Sequence, residues 1–489
     1  MSAYSRWKRG VFQSMSLHRD SQPTLAGVDS VMLTLKPSIV WLILNSLAIL
    51  HLNLATRDLS GQESSANVEQ ASFRPLFNGK NLDGWKQVNC AKETFRVEDG
   101  KIVCSGVPTG VLRTDRQYEN FVLELEWRHL EPKGNAGLFV WSDPLTHQGT
   151  PFTRAIEIQI LDGRNTENYT SHGDVFAIQG ATFVPDRPHP NGWMRCLPSE
   201  RRCRPSPQWN HYRVTCQDGK VTLAVNGEKV AGGHSANPRK GYICLESEGG
   251  VVEYRNIKIH ELPSNHPASE LVAPPDEGFV SLYNGIDLSQ WEVPDGSEGH
   301  WQPQDWILHY DGQSEADEKH LWSKREYVDF ELICDWRWTA EPQLTQRPVI
   351  QANGEYALDA QGNQIMEEVP DAGDSGIYLR GSDKSQVNIW CWPVGSGEVY
   401  GYREDRSLPA EVRAAVTPSV RADLPIGQWN RFRIRMKGEY LTVDLNGQRV
   451  IDHAHLPGVA AQGKIALQHH GAPIEFANIF IKELTQAGE

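Results

Sequence analysis

Residues 156–162 read IEIQILD, and the polar members of this run are the ones that could do chemistry. Glu157 and Gln159 alternate with Ile156, Ile158 and Ile160, so on a strand they share one face of a sheet while the isoleucines share the other. A carboxylate held on such a face can take or give a proton, and two carboxylates together can divide the roles of base and acid. Asp162 ends the run and is the nearest second carboxylate. His172 and Asp174 follow in SHGDVFAIQG, where an overhanging loop could supply a second proton-transfer group or a metal ligand. Arg154 just before the strand could steady an oxyanion. Each residue also has an ordinary reading: a solvated strand face for Glu157, an exposed loop for His172 and a surface charge for Arg154. Glu246 and Glu248 in CLESEGG either join the same cleft or are polar edge residues, the reading their position favours.

The elements that would position these groups come from an internal repeat. FNGKNLDGW at 77–85 returns as YNGIDLSQW at 283–291, and FVLELEW at 121–127 as FELICDW at 330–336. NAGLFV at 135–140 returns as DSGIYL at 374–379, QWNHYRV at 208–214 as QWNRFRI at 428–434, and VNGEKV at 225–230 as LNGQRV at 445–450. YRNIKIHEL at 254–262 returns as FANIFIKEL at 476–484. The order is the same in both halves. The chain therefore divides into a leader at 1–71, one copy at 72–262, a proline-rich linker at 263–278 and a second copy at 279–489, with an insertion at about 340–370 expected to form a hairpin or flap.

Inside each copy the pattern is strand after strand. Tyr212, Val214 and Cys216 alternate with polar residues, Asp218-Gly219 makes a turn, Val221, Leu223 and Val225 alternate again, and Asn226-Gly227 turns once more. No comparable helical periodicity appears beyond residue 72. The expected fold is all-β, two tandem β-sandwich domains of the jelly-roll kind.

The second copy departs where proton transfer is expected. Gln386 stands in the place of Glu157, Asn388 in that of Gln159 and Cys391 in that of Asp162. Amides hold hydroxyl groups but do not accept protons at neutral pH. His469 and His470 replace Ser247 and Glu248, which leaves a histidine that could serve as base. Trp390 and Trp392 are candidates for stacking beneath a ring, as are Trp141 and Trp193 in the first copy, against a core role for each of the latter two.

Composition sets the outer limits. A formal net charge of -14 with no clustered Lys and Arg argues against a nucleic-acid partner. Sixteen tryptophans suit cores and sugar-stacking faces alike. Arg6, Lys8, Arg9, Arg19 and Lys36 precede an apolar run at 39–50, which reads as an export signal, with an uncleaved membrane anchor as the alternative. Residues 57–71 read as a polar tether. The eight cysteines would suit an oxidising compartment, and Cys90 with Cys104 and Cys196 with Cys203 are the pairs that would close short loops. The repeat aligns Cys216, Cys244 and Cys334 with apolar positions, which favours buried thiols. Structural zinc is not expected from this spacing, and no DxDxDG calcium loop is present.

These blocks resemble the 3-keto-disaccharide hydrolase domain family, whose fold is similar to concanavalin A-like jelly rolls. The resemblance rests on the opening FNGKNLDGW and YNGIDLSQW, on NAGLFV, DSGIYL and IEIQILD, and on the closing 243–262 and 465–484 segments. It implies a saccharide substrate and cleavage of glycosides already oxidised at C3. There a base removes the acidified C2 proton, the C1 substituent leaves, and water adds afterwards. Two carboxylates alone would instead suit ordinary glycoside hydrolysis, and a non-catalytic, lectin-like or adhesive role is the rival reading. No metal ligand is assigned, and a divalent cation remains an open expectation.

Overall fold

The computed structural model describes residues 73–162, 173–316 and 318–484, and residues 71–489 form one compact unit. The leader and His172 lie outside the described residues. Each copy of the repeat folds as two antiparallel sheets face to face. In the first copy the front sheet runs, edge to edge, through Arg195–Cys196, Val175–Ile178, Ala155–Leu161, Asn135–Ser142, Tyr242–Ser247, Gly110–Thr114 and Trp85–Val88. Its back sheet centres on Asn210–Gln217, Phe121–His129 and Val252–Glu261. The second copy repeats this with a front sheet of Trp291–Glu292, Leu321–Tyr327, Gly463–Leu467, Asp374–Leu379 and Ser382–Trp390, and a back sheet centred on Ile474–Glu483, Phe330–Trp338 and Asn430–Lys437. Among the described residues the α-helices are two short ones, Tyr400–Arg403 and Ala410–Ala415, and no helix is long and apolar enough to cross a membrane.

The local causes are those of the sequence. Asp218-Gly219 and Asn226-Gly227 both turn with φ positive at the two central residues, the geometry that matches the right-handed twist of the strands they join. Alternation then sends Tyr212, Val214, Leu223 and Val225 into a core shared with Ile156, Ile158 and Ile160, all at most 1% exposed. The insertion forms a hairpin, Gln343–Pro348 against Met366–Asp371. All eight cysteines are free thiols, so neither short-loop pair forms a disulfide. Burial pushes the Cys104 thiol up to about 11 and the Cys244 thiol to about 12. The segment read as a linker is tied down, because Asp276 pairs with Lys86 and, at 2.8 Å, with Arg113. Burial alone would raise its carboxyl, yet these cations hold it at about 2.

The two copies differ on the outer face of the back sheet, and the difference packs one sandwich on the other. In the first copy Glu124 and Lys258 are cross-strand neighbours there and form an ion pair at 2.9 Å. The equivalent neighbours in the second copy are Ile333 and Phe480. This apolar pair cannot stay solvated cheaply, and it packs with Val111, Phe139, Ala155 and Cys244 on the outer face of the first front sheet. Beside it Asn478 takes hydrogen bonds from Asn89 (2.5 Å) and Thr146 (2.7 Å) and donates to Asp335 (2.7 Å) and the Thr150 carbonyl (3.0 Å). Asn478 sits at φ 49°, as its repeat partner Asn256 does at 52°, a left-handed position that asparagine tolerates better than most residues. Asn478→Ala leaves several buried polar partners unsatisfied and is expected to cost about 1–3 kcal/mol, seen as a lower denaturant midpoint with the strand signal in far-ultraviolet circular dichroism retained. An unchanged midpoint would refute the bridging role.

Candidate functional site

On the Ala155–Leu161 strand the isoleucines face the core, so Glu157 and Gln159 face outward. Glu157 lies between Phe139 and Phe176 on the neighbouring strands, and Gln159 lies opposite Gly137. From the other side of the Asn135–Ser142 strand comes Glu246. A Cβ added at Gly137 would stand 2.8 Å from Glu246 Oε2 and 3.0 Å from Glu157 Oε1. Both carboxyl groups therefore reach over the same bare patch of backbone, and their oxygens are no farther apart than the sum of those two distances. A side chain here would part the two acids. Glu157 is 7% exposed and Glu246 1%.

A polar surround fixes this pair. Gln159 Nε2 donates to Asn135 Oδ1 at 2.8 Å and to the Ala136 carbonyl at 3.1 Å, while Asn135 Nδ2 donates to Glu248. Arg195 comes in from the edge strand, 3.6 Å from Asp174 and stacked 3.7 Å over the Phe176 ring. Burial lowers the pKa of its guanidinium, and Asp174 and Glu157 oppose that shift. Trp193, 42% exposed, stacks on His189 near the same edge with centroids 4.5 Å apart. Two neighbouring acids, a cation and an exposed ring are the parts that proton transfer on a polyhydroxylated ring needs.

Three expected members of the first site stand elsewhere. Asp162 continues the inward parity of the isoleucines, accepts a long bond from the Ser206 backbone N–H (3.4 Å) and acts electrostatically on His129 and Cys203. It does not join Glu157. Arg154 is clamped by both oxygens of Asp143, at 3.0 and 3.1 Å. Trp141 is fully buried, its indole N–H bound to the Glu119 carbonyl at 2.7 Å, so it belongs to the core and offers no face to a ligand. The sequence reading placed Glu246 at a polar edge, whereas it is central. Its strand, Tyr242–Ser247, is buried on both faces and so carries no alternation to show this. The signal that was present is the glycine shared by NAGLFV and DSGIYL.

The second front sheet presents the same rows with other chemistry. Gln386 and Gln468, the counterparts of Glu157 and Glu246, are hydrogen-bonded to each other across Gly376, and Gln468 also donates to the Tyr378 hydroxyl at 2.9 Å. Asn388 lies opposite Gly376 and is 3% exposed. Trp390 is buried, bonded to the Gly395 carbonyl and stacked 4.2 Å on Trp392, so Trp392 carries the more accessible ring. His469 points its ring toward Tyr310 of the core and leaves the face, while His470 is exposed and acts on Asp374. Burial raises the Asp374 carboxyl to about 6, opposed by His470 and Arg347 and reinforced by Asp371. Among the described residues no group of three or more His, Cys, Asp or Glu side chains is placed to hold a metal ion.

Solved structures similar to parts of this chain include three carbohydrate-related proteins. A proposed glycosyl hydrolase from Parabacteroides distasonis is 24% identical with a TM-score of 0.30, covering 40% of this chain and 96% of that one. The family-66 carbohydrate-binding module of Bacillus subtilis is 9% identical with a TM-score of 0.27, covering 36% and 96%. The β-glucanase of Bacillus licheniformis is 15% identical with a TM-score of 0.28, covering 39% and 97%. No curated protein sequence matches. The sequence itself matches one domain family twice, at residues 72–260 and 278–482, and the chain belongs to that carbohydrate-active family, the 3-keto-alpha-glucoside-1,2-lyase-like domain.

Proposed function

We propose that the first sandwich cleaves glycosides carrying a ketone at C3, with Glu157 and Glu246 as its proton-transfer pair. The observation that carries this reading is the contrast across Gly137 and Gly376. In the second copy two amides fill the equivalent positions and satisfy each other, because an amide both donates and accepts. Two neighbouring carboxyl groups can divide the roles of acid and base. A pair that is one part acid and one part base is what elimination from a keto sugar requires.

In this mechanism Glu157, ionised, takes the proton from C2, whose acidity the C3 ketone provides. The electron pair closes a C1–C2 double bond, the C1–O bond breaks, and the protonated partner Glu246 delivers a proton to the departing oxygen. Arg195, whose charge interacts with that of Glu157, is the cation assigned to the developing enolate charge. The contact of Ile333 and Phe480 with Phe139 dries the floor beside Glu157, which strengthens each of these charge interactions. Trp193 supplies a ring for stacking. The basic and apolar pattern of residues 6–50 supports export to the periplasm or cell surface, testable by protease accessibility on intact cells.

Glu157→Gln and Glu246→Gln are each expected to lower kcat on a 3-keto-glucoside by about 10²–10⁴-fold with the melting temperature little changed. Turnover equal to that of the parent protein in both variants would reject the assignment. No turnover of any keto or plain glycoside by the parent, with measurable sugar affinity, would favour the carbohydrate-binding role instead. Gly137→Ala should separate the two acids and cost about 10²-fold in turnover, while strand content is unchanged. Full activity in that variant would mean that the two carboxyl groups do not act together.

A further inference from the structure

The outer face of the second front sheet carries chemistry that the first copy lacks. Where Asn135 donates to Glu248 in the first copy, the second copy has Asp374 and His470. Gln468 N–H bonds to the Gly376 carbonyl, so continuing the register by two residues sets His470 beside Asp374, with Trp390 as the opposite neighbour on the other flank. A half-buried carboxylate and an exposed imidazole thus share one row of the outer sheet face. It is the back sheet of this sandwich, not this face, that packs on the first copy.

The insertion, present only in the second copy, completes the surround. Its two strands end beside this row, and Asp371 holds Arg347 there through Nε at 2.6 Å. The Arg347 guanidinium lies 5.7 Å from the centre of the Trp392 ring, which is itself stacked on Trp390. Next to Trp390, at the edge of the core, opens a cavity of about 350 Å³ lined by Trp336, Trp338, Cys391, Pro342, Arg421 and Asp423 among others. That volume falls at the lower end of the range for small-molecule sites. A base, a proton donor, a fixed cation, a stacking ring and an adjacent apolar hollow meet within one sandwich.

We infer that the second sandwich is a second active centre, in which Asp374 takes a proton from a ring carbon next to a carbonyl and His470 gives one to the departing oxygen. The substrate class rests on the reading of the first site; the placement of the residues does not. In the step, the C–H bond breaks toward the Asp374 oxygen and its electron pair forms a carbon–carbon double bond. The C–O bond to the leaving group breaks and the His470 N–H proton goes to that oxygen. Protonated Asp374 and neutral His470 are then reset by exchange with water, so no oxidant or reductant is consumed. Arg347 faces the carbonyl oxygen, and the apolar hollow takes a flat aromatic aglycone.

The test uses the full chain and 4-nitrophenyl 3-keto-glucoside as the probe, with Glu157→Gln/Glu246→Gln as the background. That background should retain a small residual turnover, within the 10²–10⁴-fold loss expected of the first-site variants, and adding Asp374→Asn should lower what remains by at least about 10²-fold, with His470→Gln lowering it by about tenfold or more. A background with no residual turnover, or one indifferent to Asp374→Asn, overturns the proposal while leaving the first site intact. Loss in Asp374→Asn alone, with the doubly substituted background fully active, sustains the proposal and removes the first site. If the parent turns over no keto-glycoside, the probe's quenching of tryptophan fluorescence decides. Quenching that survives in the background and is lost in Trp392→Ala and Asp374→Asn supports a site here, and quenching indifferent to both overturns it.

Discussion

The first site depends on one absent side chain. Gly137 leaves a bare patch in the middle of a sheet face, and from either side Glu157 and Glu246 lean over it. Two-residue alternation alone would space these carboxyl groups along separate strands with a side chain between them. The glycine removes that spacer, and the isoleucines on the other face of the Ala155–Leu161 strand lock its parity by burial. A slip of one residue would bury Glu157 in the core and expose three isoleucines, a cost no local rearrangement offsets.

The same scaffold supports different use of its two copies. The fold preserves the glycine and the strand register in both, so what changes is the pair that leans over it: two acids in one, two mutually satisfied amides in the other. The copies also differ on their back sheets. A single exchange of the Glu124–Lys258 ion pair for Ile333–Phe480 turns a solvated surface into an apolar one, and this surface covers part of the first front sheet. The second front sheet takes no part in that packing. Duplication gave two equivalent faces, and packing made them unequal.

Much of the fold was legible in the sequence. The repeat blocks, the Asn-Gly and Asp-Gly turns and the alternation around Tyr212 and Phe432 carry the tandem sandwiches without further information. The site was legible in part. Glu157 and Gln159 show their face because Ile156, Ile158 and Ile160 show the opposite one, and the same parity, carried one step further, would have turned Asp162 inward. Glu246 was hidden because its strand is buried on both sides. For Arg154 and Trp141 the sequence left two readings open: residue type signals what a group can do, while Asp143 and the Glu119 carbonyl, which engage them, are set by tertiary contact. The packing of one sandwich on the other was written in the exchange of Glu124 and Lys258 for Ile333 and Phe480, a signal visible only when the copies are compared position by position.

The most direct test of the central claim is a crystal structure of the full chain with a non-cleavable 3-keto-glucoside analogue, one whose glycosidic oxygen is replaced by carbon. The sugar ring is expected over Gly137, with C2 facing Glu157 and the substituted position within hydrogen-bond reach of Glu246. A ring bound away from the Gly137 patch, with both carboxyl groups untouched beneath it, would contradict it.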